Sequence, residues 1–502
     1  MPDPYSMSRR VFLTRAAGLT LTLGGGALVP SKALTATNPY AGGWWLAGDH
    51  HIHTKYSPDG LYEIVEQVAA ARRCGLDWCV ITDHGGPRHD KVALNQAYPD
   101  LLAARRAHPG ITVFQGLEWN IPAAEHGSVI LPVGAEEAEH AARFEAIFDE
   151  KNETLRGAKN TEAVAVQAVQ YLESITPKPL FLANHPARRG LDSPHEMRAW
   201  SDAGPNVTRG FEGAPGHQAA GLTGHPRGEY DNKPSANSFT GYPAEAYRTF
   251  GGYDWYVAKV GGLWDSLLGE GRPWYITANS DSHKHWDDRA LVDGSTYLPK
   301  GYVTRTGKLA DKPAEVDFFP GEYSKTWAFA RRRSPLAVLE ALRAGSMFTV
   351  LGGLVDRLEL WASAQGEAAT MGGTLVLGRA GSPVDVTLRL RVPTGPNLGG
   401  ETPRLDHIDL IAGDILGPAA DRDALSNPTT RVVAQLRAAE GKREGRYLTF
   451  RHRFPAARSS FYLRVRGTNT RVDEPGLDVV GVNPWSDLWF YSNPIFVRLP
   501  AS

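Results

Sequence analysis

From residue 43 to about 353 the chain repeats one pattern: a short apolar run, a polar cluster, then a segment of helical period. Strands that alternate with helices line up in parallel, in a sheet that is either open or closed into a barrel, so the fold class is α/β. The apolar runs include 44–47, 78–81, 111–117, 179–183 and 274–278. Helices are predicted over 61–73, 136–148, 161–174 and 335–344. In the first of these, apolar residues at 61, 64, 65, 68 and 69 make one stripe.

Past residue 354 the period changes. Val384 to Val392 and Phe461 to Arg466 alternate apolar with polar residues, as half-buried antiparallel strands do, and Gly- and Pro-rich turns separate such runs. A C-terminal β-sandwich of roughly 150 residues is expected over 354–502, after an α/β domain over 43–353. A chain of 502 residues, 42% of them hydrophobic, can bury two cores. Of 16 histidines only His407 and His452 lie beyond residue 300, which assigns any imidazole chemistry to the first domain. The Gly-, Pro- and aromatic-rich stretch 205–256 reads as a loop insertion, a lid or binding loop.

Charge is balanced, 54 basic against 55 acidic side chains, so nothing indicates a stable nucleic-acid partner or a membrane-surface protein. Arg331-Arg332-Arg333 reads as a solvated turn rather than a phosphate track. Cys74 and Cys79 read as small buried side chains, not a disulfide. Ser8-Arg9-Arg10-Val11-Phe12-Leu13, followed by a mild apolar stretch too short to span a bilayer, resembles a twin-arginine export signal over 1–36. No cysteine follows it to take a lipid, so a periplasmic or extracellular protein without a membrane anchor is expected. An ordinary secretory signal is the alternative.

In Asp49-His50-His51-Ile52-His53-Thr54, alternate residues of a strand share a face. His51 and His53 therefore point one way, where two imidazoles can clasp one ion, and His50 points toward packing. Four further runs end in groups that bind metals: Asp83-His84, Glu118, Asn184-His185-Pro186 and Asp281-Ser282-His283. In barrels and open α/β sheets, sites form at the carboxyl ends of the strands, so these groups are expected to converge. Mixed imidazole and carboxylate ligands suit Zn, Mn or Fe. Asp49 and Asp83 are expected to orient the ligand imidazoles from behind.

Taken together, His51-x-His53, Ser57-Pro58-Asp59-Gly60, Thr82-Asp83-His84, Gly116-Leu117-Glu118, His126-Gly127, His185-Pro186 and Ser280-Asp281-Ser282-His283 resemble the successive motifs of the PHP (polymerase and histidinol phosphatase) superfamily, over about residues 45–290. The resemblance implies a distorted (β/α)7 barrel holding two or three divalent ions. It implies one ion on His51, His53, Glu118 and Asp281, and a second on Glu118, His126 and His185, with Glu118 bridging. A third would sit on Asp59, His84 and His283; with the Asp59 oxygen turned away the centre is binuclear. Phe319-Pro320-Gly321-Glu322-Tyr323, Leu342-Arg343-Ala344-Gly345 and Tyr491-Ser492-Asn493-Pro494-Ile495 resemble the secreted PHP branch that includes carbaryl hydrolase. Amidohydrolase barrels also begin with His-x-His, but they usually carry a bridging carboxylated lysine, and no lysine ends a strand here.

The expected chemistry is hydrolysis of a small-molecule substrate. Water held between two ions loses a proton near neutral pH and attacks phosphorus or a carbonyl carbon, with Glu118, Asp281 and His185 as the catalytic groups. A phosphomonoester or phosphodiester is the first expectation, and a carbamate, ester or amide the alternative. A non-catalytic PHP module would have lost ligands, and none is lost. Arg188, Arg189 and Arg289 are candidate oxyanion clamps; His217, His225 and His285 are loop histidines for substrate contact, acid catalysis or plain surface. Clustered arginines would mark a phosphate pocket, and Trp-rich walls (Trp255, Trp264, Trp286) a carbamate pocket.

Overall fold

The computed structural model describes residues 38–152, 160–229, 234–286 and 317–500. The twin-arginine segment and Arg289 lie outside the described residues. The first sheet is built from β1 (Trp44–Asp49), β2 (Trp78–Ile81), β3 (Thr112–Asn120), β4 (His126–Ile130), β5 (Leu180–Asn184), β6 (Thr208–Ala214) and β7 (Tyr275–Ala278), neighbours in that order. All neighbours are parallel except around β4, which runs antiparallel to both β3 and β5. The ring closes just beyond β1 and β7, where Ile52 bridges Ser282 and the His53 amide donates to the Ser282 carbonyl at 2.9 Å. One reversed strand is the distortion of an otherwise parallel barrel.

Helices flank the strands. α1 (Ile64–Arg73) starts at a capping box in which the Glu63 and Glu66 side chains satisfy each other's backbone amides. Its buried stripe of Ile64, Val68 and Ala71 packs on Cys79 and Ile81 of β2. α2 (Tyr98–Ala107), α3 (Glu137–Phe148), α4 (Glu162–Ser174, capped by Thr161), α5 (Pro194–Ala203, capped by Ser193), α6 (Leu263–Gly269) and α7 (Pro335–Arg343) follow. The four predicted helices agree with these bounds to within three residues at the start and one at the end.

The stretch 205–256 is not all loop, because Thr208–Ala214 forms β6 in the barrel wall. Its sequence, TRGFEGA, hides the strand behind two glycines and a buried glutamate. Gly210 has φ 148°, and a Cβ there would lie 1.7 Å from the Tyr275 carbonyl oxygen, so the sheet needs a residue without a side chain at that place.

Beyond the barrel, β8 (Ser324–Ala330) pairs antiparallel with β1, and β9 (Met347–Leu351) with β8. The C-terminal part contains β10 (Arg357–Ala364), β11 (Val384–Arg391), β12 (His407–Asp414), β13 (Tyr447–Phe454), β14 (Phe461–Thr468), β15 (Trp489–Ser492) and β16 (Ile495–Arg498). β10, β11 and β13 form one antiparallel sheet; β12, β14, β15 and β16 belong to another, which joins the barrel sheet through the β9–β15 pairing of Phe348 with Ser492. β11 alternates as expected, with Val384, Val386, Leu388 and Leu390 buried. β14 does not: all eight residues are buried, both arginines included. Arg464 pairs with Asp265 of α6 at 2.7 Å and Arg466 with Asp409 of β12 at 3.0 Å, which is what allows charges to go inside. Both cysteines are buried free thiols. No helix among the described residues is long and apolar enough to cross a membrane.

Candidate metal centre

The rim at the carboxyl ends of the parallel barrel strands gathers all nine expected ligand positions, with His126 at the start of the reversed β4 and Asp59 on the loop after β1. His51 and His53 follow β1, and their Nε2 atoms lie 3.0 Å apart. Asp281 Oδ1, after β7, is 3.1 Å from both, and Glu118, near the end of β3, reaches His51 with Oε1 at 3.0 Å and His53 with Oε2 at 3.3 Å. That is the first expected donor set. Glu118 Oε1 also lies 3.2 Å from His126 Nδ1 and 3.2 Å from His185 Nε2, the second set. Glu118 Oε2 approaches His84 Nδ1 at 2.8 Å, so this one carboxylate touches five imidazoles. Asp59 turns its oxygens toward His84 Nε2 (3.4 Å) and His283 Nε2 (3.5 Å), completing the third set, with the His283 ring stacked 3.7 Å from that of His53.

The donor set fits cations. Glu118 Oε2, Asp281 Oδ1, His84 Nδ1, His126 Nδ1 and His185 Nδ1 are buried and, among the described residues, make close contacts but no aligned hydrogen bond, and such atoms are costly unless charge compensates them. Burial, reinforced by the Arg188 guanidinium, holds the His185 imidazole down at about 3, so it stays neutral with a lone pair to donate. Burial pushes the Glu118 and Asp281 carboxyls up, but the surrounding imidazoles, His51 first, overcome it and hold both well below the usual range.

Behind the donors stand groups that fix them. Glu212 of β6 takes the His51 Nδ1 at 2.8 Å and accepts from the His185 amide at 2.7 Å; Ser57 Oγ meets His53 Nδ1 at 2.8 Å. Asp49 and Asp83 do not hold imidazoles directly. Asp49 accepts from the His51 and Ser280 amides (both 3.1 Å), and Asp83 from the Thr54 amide and hydroxyl (2.6 and 2.7 Å), so they brace the backbone that carries the ligands. His50 points into the barrel, against Ser128 and Thr277. Three residues beside the cleft, His185, His217 and Asp281, have φ of 29°, 63° and 48°, a region that residues with side chains adopt only where the surroundings impose it.

The cleft encloses about 360 Å³. Besides the donors it is lined by Lys151, Arg188, Lys284, His217 and Asp317, and among the described residues by no Trp or Phe. Arg188 is held by Glu125 at 3.0 Å. Arg189 is exposed and lines an adjoining hollow instead. His217 is buried between two carboxylates, and His285 is buried with Nε2 3.1 Å from Gln67 Oε1. Sequence reasoning missed Glu212, Asp317, Lys151 and Lys284. Glu212 was masked by the loop-like composition of β6, and Asp317 lies 34 residues from the His283 it serves, just ahead of the Phe319–Tyr323 motif rather than within it.

Residues 49–171 match the PHP domain family, and the chain carries a PHP domain over that stretch. No curated protein matches the sequence. Among solved structures, a two-domain protein from Bacteroides vulgatus, described as containing a predicted PHP-like metal-dependent phosphoesterase, is similar over 88% of this chain and 96% of its own, at 15% identity and a TM-score of 0.34. A protein from Bifidobacterium adolescentis, proposed to be a metal-dependent phosphoesterase, is similar over 33% of this chain and 76% of its own (17% identity, TM-score 0.22). Endonuclease Q, bound to a 27-mer duplex with an abasic lesion at its active site, is similar over 34% and 42% (17% identity, TM-score 0.23). With TM-scores below 0.5, these likenesses carry nothing of function to this chain.

Proposed function

We propose that this protein is an exported, metal-dependent phosphoesterase acting on a phosphomonoester or phosphodiester. The observation that carries the reading is the lining of the cleft, where Lys151, Arg188 and Lys284 stand around nine convergent metal donors and, among the described residues, no aromatic wall. His51, His53, Glu118 and Asp281 would hold one divalent ion, Glu118, His126 and His185 a second, and Asp59, His84 and His283 a third. Such ions, of Zn, Mn or Fe character, supply Lewis acidity and a water acidic enough to attack at neutral pH.

The chain's own groups supply the rest. Arg188, anchored by Glu125, presents a fixed guanidinium fork to phosphate oxygens. Burial would raise Glu125, but His126 and Arg188 hold it at about 2, so it remains an anion and the fork stays in place. Lys151 and Lys284 add charge that tightens phosphate binding and stabilises oxyanions in the transition state. Arg189 serves this role less well from the adjoining hollow. The carbamate alternative would need apolar walls, whereas Trp255 and Trp264 pack in the core and Trp286 reaches Glu322. Export rests on Arg9-Arg10 and the apolar stretch after them.

Turnover of p-nitrophenyl phosphate, bis-p-nitrophenyl phosphate and a naphthyl carbamate by the metal-loaded chain tests the chemistry. Cleavage of either phosphate that is lost with chelator supports the reading; cleavage of the carbamate alone overturns it. Replacing Arg9-Arg10 by Lys-Lys tests export, which should stop.

A further inference from the structure

The C-terminal sheets hold a concavity of about 450 Å³ that shares no residue with the metal cleft. Arg404, Arg443 and Arg446 line it together with Thr394 and Thr402, over a floor that includes Leu405. Among the described residues no carboxylate lines it. Among the described residues none of the three guanidinium groups has an ion pair or a side-chain hydrogen bond.

Arginines nearby are matched. Arg389 meets Glu359 at 2.6 Å, Arg391 meets Asp356 at 2.6 Å, and Arg437 meets Asp406 at 2.7 Å. Three unmatched guanidinium groups around one hollow repel one another and concentrate positive potential there. An anion relieves that repulsion, and each arginine offers a planar fork suited to a carboxylate or phosphate. The two threonine hydroxyls can complete the hydrogen bonding, and the apolar floor suits a short carbon skeleton.

We infer that Arg404, Arg443 and Arg446 form a second ligand site, separate from the metal centre, for a small organic anion carrying two or more phosphate or carboxylate groups. Such a site gives the C-terminal domain, which carries none of the nine candidate metal donors, a binding role of its own.

The test is isothermal titration of the metal-loaded full chain with pyrophosphate and, separately, with tricarballylate, against the R404Q/R443Q/R446Q variant. All three side chains are exposed, so the substitutions leave the core intact. The wild type should bind one equivalent more than the variant of at least one probe, while hydrolysis in the metal cleft is unchanged. A pyrophosphate-only difference identifies phosphate as the ligand group, and a tricarballylate-only difference identifies carboxylate. Should the triple variant fold poorly, R446Q alone is expected to weaken the extra binding about tenfold, the loss of one charge-assisted contact. Identical stoichiometry and affinity in wild type and variant, or no second equivalent of either probe in the wild type, overturns the inference.

Discussion

His217 Nδ1 lies 2.5 Å from Asp317 Oδ1, and the same imidazole presents Nε2 to Asp281 Oδ2 at 2.8 Å. Asp317 Oδ2 accepts from the His283 and Lys284 amides at 2.6 and 3.0 Å. This pair thus fixes Asp281 with only Oδ1 facing His51 and His53, and fixes the loop that carries His283. His217→Asn and Asp317→Asn should each weaken metal binding roughly 10–100-fold, the usual cost of losing a group that orients a ligand. Chelator competition measures this without reference to turnover. Unchanged affinity in both variants would reduce the pair to packing.

Gly216 lies against Asp281. A Cβ there would come 2.0 Å from the Asp281 Cβ and 2.3 Å from the Ser280 carbonyl oxygen. Gly216→Ala must push the Asp281 turn out of place, so metal content should fall with little loss of helix or sheet signal in circular dichroism. A variant with wild-type metal content and activity would show that the turn yields freely.

Asp265 and Arg464 are both fully buried and bonded to each other twice, at 2.7 and 3.0 Å. Asp265→Ala leaves a guanidinium buried without its counter-charge and should cost roughly 3–5 kcal/mol. Urea unfolding measures it; a loss below ~1 kcal/mol would mean that water or a neighbour replaces the carboxylate.

Burial, helped by Glu145 beside it, pushes the Asp149 carboxyl up from 3.8 to about 7. Between these values the folded chain keeps a proton that the unfolded chain has lost. The stability this proton confers is therefore full below about pH 4 and is lost as pH rises to 7, by at most ~4 kcal/mol at about 1.4 kcal/mol per unit. Glu196, also pushed up to about 7 by burial, adds to the same slope. Asp149→Asn should flatten the fall in urea midpoint between pH 4 and 7 by its own share. An unchanged slope would place the Asp149 proton elsewhere.

His51, His53, His84, Glu118, His185, Asp281 and His283 were legible because they sit where apolar runs stop, and strand order alone sends such ends to one rim; Asp59 and His126 came only from the resemblance to the PHP motifs. His51 and His53 were legible from the two-residue period of a strand. Glu212 was not, because a barrel strand with two glycines has no apolar period to betray it. Asp317 was not, because its place depends on how a distant segment folds back onto the His283 loop. The roles of Asp49 and Asp83 were half legible: a carboxylate beside a ligand was foreseen, but which atom it would take, ring nitrogen or backbone amide, depends on side-chain direction. β14 misled in the other sense. Alternation predicts a wet face, and Arg464 and Arg466 are dry only because Asp265 and Asp409 come from other elements.

Glu118 is the donor shared by the first two expected cation sites. Elemental analysis of the purified chain after loading with Mn or Zn, beside Glu118→Gln, tests it most directly. At least two tightly held ions per wild-type chain, falling by one or more in the variant, is the predicted result. Fewer than one tightly held ion per wild-type chain would contradict it.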